Sequence, residues 1–148
     1  MFHVVLVEPQ IPPNTGNVGR LCLATNTRLH LVEPLGFSLD DRQLKRAGLD
    51  YWKDVDWHRW PSLEALQATA EPGSRFHYFT KKATQEHWSA HFGEGDYLVF
   101  GCETRGLPES LLRAKADECL CIPTENVRSL NLSVSVGIAL FEAIRQSR

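Results

Sequence analysis

The chain has 148 residues, 43% of them hydrophobic and 23% charged, a balance that predicts one soluble domain over 1–148 with a core of its own. Its net charge of −2 excludes a uniformly basic, polyanion-coating surface and leaves room for a local basic patch. No run approaches the ~18 apolar residues of a membrane span. The apolar start, Met1 to Val7, is too short and lacks the leading positive charge of a signal peptide, so a cytoplasmic protein is expected.

Phe2 to Val7 is an apolar run ended by Glu8-Pro9 and predicts a buried strand. A Pro-Asn-Thr-Gly stretch follows, with helical character from Asn17 to Thr25. Leu29 to Val32 predicts a second strand, closed again by Glu-Pro. Asp40 to Ala47 predicts a helix, with Asp40 able to cap it and Gly48 able to end it. Tyr51 to Trp60 is rich in aromatics and ambiguous in period. Ser62 caps a helix that reaches about Ala70 and stops at Pro72-Gly73. Phe76 to Thr80 and Tyr97 to Phe100 predict the third and fourth strands, and Pro108 opens a short helix to Ala114. Leu120 to Ile122 predicts a fifth strand, and Leu130 to Arg145 the final helix. Short apolar strands alternating with helices give an α/β class with a mostly parallel sheet. The final helix is apolar over more than a one-sided stripe. It is either packed deeply in its own core or covered on a second face by another subunit.

Three constellations carry polar chemistry. Pro12 to Arg20 follows the first strand: Asn14 can cap the coming helix, Gly16 and Gly19 permit close backbone approach, and Arg20 can hold a phosphate. The glycine spacing matches neither a dinucleotide fingerprint nor a P-loop, and a purely structural helix start also fits. Phe100 to Pro108 follows the fourth strand and sets Glu103 between Gly101 and Gly106, where open α/β sheets bind ligands. Asn126 to Ser133 joins the fifth strand to the last helix and places Ser129, Asn131 and Ser133 where apolar residues would normally begin a buried helix. All three fall at one edge of the predicted sheet. A fourth group, Arg42, Lys45 and Arg46 beside Tyr51, Trp52, Trp57 and Trp60, suits an RNA surface, although a solvated helix face beside core aromatics fits the same pattern.

The four cysteines form no C-x-x-C pair and suit a core or free thiols. The six histidines show no metal-ligand spacing, since only His87 and His91 are four apart, so no metal is expected. A G-x-S-x-G elbow is also absent, which removes support for hydrolase chemistry.

At 11–20 (I-P-P-N-T-G-N-V-G-R), 100–108 (F-G-C-E-T-R-G-L-P) and 122–133 (I-P-T-E-N-V-R-S-L-N-L-S) the chain resembles the SPOUT class of RNA methyltransferases. Within that class it is similar to the group that methylates the ribose 2′-OH of the tRNA wobble nucleotide, a likeness that includes D-D-R-Q-L-K-R-A-G-L-D-Y-W at 40–52 and spans essentially the whole chain. The resemblance implies a C-terminal deep trefoil knot, a rare exception to unknotted topology, and a homodimer with the first and last helices at its interface. It implies S-adenosylmethionine as cofactor, held at the positions matching Phe79, Gly101, Ile122, Ser129 and Leu130.

The implied reaction is methyl transfer to the 2′-OH of position 34, a cytidine or modified uridine. It would be carried by Arg20, with Asn14, Glu103, Ser129 and Asn131 orienting the groups. An Arg with pKa above ~12 is a poor general base, so phosphate binding or alkoxide stabilisation suits Arg20 better. No appended RNA-binding domain is evident, so the Arg42, Lys45 and Arg46 face is the expected tRNA contact. The alternatives are a 2′-O-methyltransferase for another tRNA position or rRNA, or a non-catalytic RNA-binding protein with a vestigial cofactor pocket.

Overall fold

The computed structural model describes residues 1–40, 42, 44, 46 and 49–148, the side chains of 49 and 50 excepted. The predicted Lys45 contact and the helix end at Ala47 and Gly48 therefore lie outside the described residues. A six-stranded sheet runs in the order β3-β2-β1-β5-β4-β6. The strands are β1 (His3–Val7), β2 (Arg28–Val32), β3 (Trp57–Trp60), β4 (Phe76–Phe79), β5 (Tyr97–Phe100) and β6 (Cys119–Leu120). Every pairing is parallel.

Alternation along β1 shows how the sheet is covered on both faces. Val4 and Leu6 enter one core with Val18 and Cys22 of α1 (Pro12–Ala24) and Val136, Ala139, Leu140 and Ala143 of α4 (Leu132–Gln146). Val5 and Val7 enter the other with Leu63 and Leu66 of α2 (Leu63–Gln67) and Leu112 of α3 (Glu109–Ala114). Side chains of period two thus meet helices on both sides, which is why the strands read as unbroken apolar runs.

The structure corrects several boundaries. Helix α1 starts at Pro12, not Asn17, because the prolines sit in its first turn where no intrahelical N–H is needed. Ile11 is its cap residue, with no side-chain bond, so Asn14 does not cap the helix and its amide is free for other work. The ambiguous aromatic stretch supplies both a 3-10 helix, Leu49–Asp54, and the sixth strand, β3. A Cβ on Gly19 would lie 2.5 Å from the Trp52 ring, so the glycine lets the 3-10 helix pack flush on α1. Ser62 caps α2 through Ala65 N, as the sequence predicts, though the helix ends at Gln67. Helix α4 begins at Leu132 because Asn131 caps it, its Oδ1 accepting from Ser133 N and Val134 N.

Helix α4 buries one face and exposes Val134, Ile138 and Phe141 on another. These positions, four and three apart, form an exposed apolar stripe among the described residues.

On one face of the sheet, from the starts of β1 and β5 to the middle of β2 and the end of β3, the aliphatic pattern gives way to a ring stack. His30, 3% exposed, receives the Trp60 indole N–H on Nδ1 at 2.9 Å. An indole nitrogen only donates, so the His30 proton sits on Nε2 and is donated to His3 Nδ1, also at 2.9 Å. Tyr97 stacks on His3 and His58 on His30.

Candidate functional site

Because all strands are parallel, the segments leaving β1, β4, β5 and β6 emerge at one edge of the sheet, the edge at which α/β sheets bind ligands. There they enclose a cleft of about 600 Å³. Two further clefts, of about 600 and 760 Å³, lie along β4 and at the amino ends of the strands, and the three sequence constellations do not converge on either.

The cleft is built on a polar chain linking three sequence-distant segments. Glu103, after β5, accepts from Gln10 N and Ile11 N at 2.9 Å each and from Asn14 Nδ2 at 3.2 Å. Asn14 is 6% exposed, and its Oδ1 accepts from Asn131 Nδ2 at 3.1 Å. Asn131 Oδ1 accepts in turn from the start of α4. Each amide is fixed in orientation by the group on either side. The carboxylate has both oxygens committed to donors, a satisfied and therefore rigid arrangement for a half-buried charge. Thr104 adds a bond to the Gln10 amide oxygen at 2.7 Å.

Gly101 closes the turn. A Cβ there would lie 2.1 Å from the Gly106 carbonyl carbon and 2.2 Å from Leu107 N. Gly106 itself has φ +68°, the left-handed region that glycine tolerates. The segment 101–107 can therefore fold back on itself only with these residues. Beneath it Phe79 and Phe100 stack with centroids 4.7 Å apart. Cys102 Sγ lies 3.9 Å from both Thr104 Oγ1 and Gly106 O. Burial works against its thiolate, but hydrogen bonds with Arg105 and Thr104 outweigh it and hold the thiol below its usual range.

Phe79, Gly101, Ile122, Ser129 and Leu130 all line the cleft, as do Asn14, Glu103 and Asn131. Arg20 does not. It is exposed, and its guanidinium lies 5.3 Å from the centroid of the Tyr51 ring. Arg42 and Arg46 are exposed on either side of buried Leu44 and also stand off the cleft. The sequence reading missed a set of cations that do line it: Lys81, Lys82, Arg105 and Arg128. Arg105 and Arg128 lie inside the quoted motifs, and their position beside Glu103 and Ser129 was the available signal. Among the described residues no group of three His, Cys, Asp or Glu is placed to hold a metal ion, and no helix is long and apolar enough to cross a membrane.

Comparison with known proteins matches residues 1–141 to the SpoU rRNA methylase family. The chain is 51% identical over 148 residues to a tRNA (cytidine(34)-2′-O)-methyltransferase of Methylovorus glucosotrophus, covering 99% of this chain and 96% of the relative. A protein of the same name from Saccharophagus degradans is 50% identical over 151 residues, with 99% and 96% covered. A solved structure concerned with 2-OH methylation of C/U34 on tRNA superposes with a TM-score of 0.94 at 48% identity, over 99% of this chain and 95% of the other. The AdoMet-bound rRNA methyltransferase of Sinorhizobium meliloti shares the fold, with a TM-score of 0.85 at 24% identity over 97% of this chain and 56% of that one.

Proposed function

The chain belongs to the SpoU rRNA methylase family, and from that premise we propose that it transfers a methyl group from S-adenosylmethionine to the ribose 2′-OH of tRNA nucleotide 34. The observation that carries this is the Glu103–Asn14–Asn131 chain, which joins three motif segments around one cleft in a protein half identical, end to end, to relatives bearing that activity in their names.

The cleft suits the cofactor. Phe79, Leu107, Ile122 and Leu130 offer apolar surface for an adenine, while the folded-back 101–107 turn and Ser129 offer polar groups for a ribose. When bound, S-adenosylmethionine supplies an activated methyl on a sulfonium. The protein then has to place a ribose oxygen in line with that carbon and favour the alkoxide as the proton leaves. Gly101 and Gly106 shape the turn, and Asn14 and Asn131 fix the register of the cleft walls. Ser129, which lines the cleft, offers its hydroxyl to the substrate ribose as well. Arg20 stabilises the developing alkoxide or grips the neighbouring phosphate, its guanidinium steadied over Tyr51.

Arg20 stands apart from the cleft of its own chain, and α1, which carries it, packs beside α4, with its exposed Val134–Ile138–Phe141 stripe. The reading that accommodates both facts is a homodimer through this face, with Arg20 serving the partner's cleft. The C-terminal segment threads a deep trefoil knot. The family resemblance implies that topology, and Gln146 ties the C-terminus to Phe92 N and Ala90 O in the segment before β5. Arg42, Lys45 and Arg46 remain a candidate tRNA face, and work on tRNA places the protein in the cytoplasm.

The test is methyl transfer from labelled S-adenosylmethionine to tRNA lacking wobble 2′-O-methylation, followed by nucleoside mass spectrometry and mapping. Label in 2′-O-methylcytidine or a 2′-O-methylated uridine at position 34 is expected. Label confined to rRNA or to another tRNA position would refute the assignment.

A further inference from the structure

The cleft rim carries cations that a cationic cofactor does not need. Lys81, Lys82, Arg105 and Arg128 all line the cleft and are exposed. Lys82 pairs with Glu109, whereas Lys81, Arg105 and Arg128 form no ion pair among the described residues. Glu103 is the acidic residue among the described residues lining the cleft; neutral donors (Gln10 N, Ile11 N and Asn14 Nδ2) hold both its oxygens, and its single negative charge against these cations leaves the rim net positive.

S-adenosylmethionine has a sulfonium and an ammonium against one carboxylate, so it enters with a net positive charge. Its product, S-adenosylhomocysteine, has lost the sulfonium and is net neutral. A net cationic rim therefore opposes binding of the donor and is indifferent to the product.

We propose that Lys81, Arg105 and Arg128 form an anion-binding rim that couples RNA to the charge of the cofactor. The inference rests on the cofactor and RNA reading above. Phosphates of a bound RNA neutralise the rim and remove its repulsion of the donor, and by linkage the donor-loaded protein holds RNA tighter by the same factor. In the reaction the ribose oxygen bonds the methyl carbon and the carbon–sulfur bond breaks, leaving its electron pair on sulfur. The hydroxyl proton is lost to solvent. The positive charge of the cofactor disappears in that step, so the coupling disappears with it. RNA is favoured before transfer and released after it. Three exposed cations acting over about a Debye length through a partly aqueous rim give a coupling on the order of three- to tenfold in affinity.

Calorimetric titration tests this with two ligands that cannot transfer methyl: S-adenosylhomocysteine, and sinefungin, in which an ammonium-bearing carbon replaces the sulfonium. Each is titrated into the protein with and without an unmodified anticodon stem–loop RNA. The wild type should bind sinefungin about three- to tenfold tighter when RNA is present and S-adenosylhomocysteine within twofold either way. The Arg105→Gln/Arg128→Gln double variant, confirmed folded by its thermal melt, should bind sinefungin alone at least as tightly as wild type and lose the RNA effect. If the variant weakens both ligands alike, the rim holds the carboxylate common to both and the proposal is wrong. RNA tightening both ligands equally in the wild type would also overturn it. Failure of the wild type to bind either ligand would instead overturn the cofactor reading on which the proposal stands.

Discussion

Lowering the pH should loosen this fold at the ring stack across β1, β2 and β3, and His30 is where the effect is largest. The His30 ring is buried and both its nitrogens are committed, one as acceptor from Trp60 and one as donor to His3. Burial, then the neighbouring His3, His58 and Arg28 charges, push its pKa down from 6.5 to about 3. Burial and Arg28 likewise push His3 down to about 4. Both folded values lie below the ordinary one. The unfolded chain therefore binds more protons between pH 6.5 and the folded values, and stability is full above 6.5 and falls as the pH drops through that window. At pH 5 the loss is about 2 kcal/mol for His30. His3, half exposed and screened, adds about 1 kcal/mol more. A total of ~3 kcal/mol against a typical stability of ~5–15 kcal/mol should lower Tm by about 6–12 °C. The assay is thermal unfolding of wild type and His30→Gln at pH 7.5 and pH 5. The variant should melt lower at pH 7.5, having lost a fitted hydrogen-bond relay, yet show a pH-dependent drop smaller by about 2 kcal/mol. Equal drops in the two proteins would show that burial does not hold His30 neutral in the folded state.

Three substitutions test the site. Gly101→Ala forces a Cβ against the backbone of Gly106 and Leu107 at 2.1–2.2 Å, so it should weaken S-adenosylhomocysteine binding by an order of magnitude or more while leaving the far-ultraviolet circular dichroism of the sheet intact. Phe141→Asp places a charge in the exposed α4 stripe and should convert the proposed dimer to monomer in light scattering and abolish transfer. Arg20→Ala should bind cofactor as wild type does and turn over at least a hundredfold more slowly, in line with loss of one transition-state contact. Mixing it with Gly101→Ala should then restore part of the activity, because one cleft of the mixed dimer would receive an intact Arg20.

Much of the fold was legible because strands buried on both faces write a simple code: short apolar runs such as Val4–Val7 and Leu98–Phe100, each closed by Pro or Gly. Strand β3 was not legible. Its Trp-His-Arg-Trp sequence carries a half-exposed edge with His58 and Arg59 in solvent, so no apolar run marks it. The start of α1 was hidden for the opposite reason, since two prolines read as a break when they occupy the one helical turn that tolerates them. In the site, Glu103, Asn14 and Asn131 could be named from their motifs, but that they form one hydrogen-bonded chain could not. Their separation of 89 and 117 residues is closed only by the parallel order of the strands.

Arg20 shows the limit most clearly. In sequence it stands six residues from Asn14 and reads as a member of the same cluster. On a helix six residues is well over one and a half turns, about 9 Å of rise, with the side chain turned to a different face. Asn14 accordingly points into the buried relay while Arg20 lies over Tyr51 in solvent. Proximity in a motif is thus not proximity in one chain's cleft. An arginine over Tyr51, on a helix that packs against α4 with its exposed apolar stripe, makes chemical sense when a second copy brings a cleft to it.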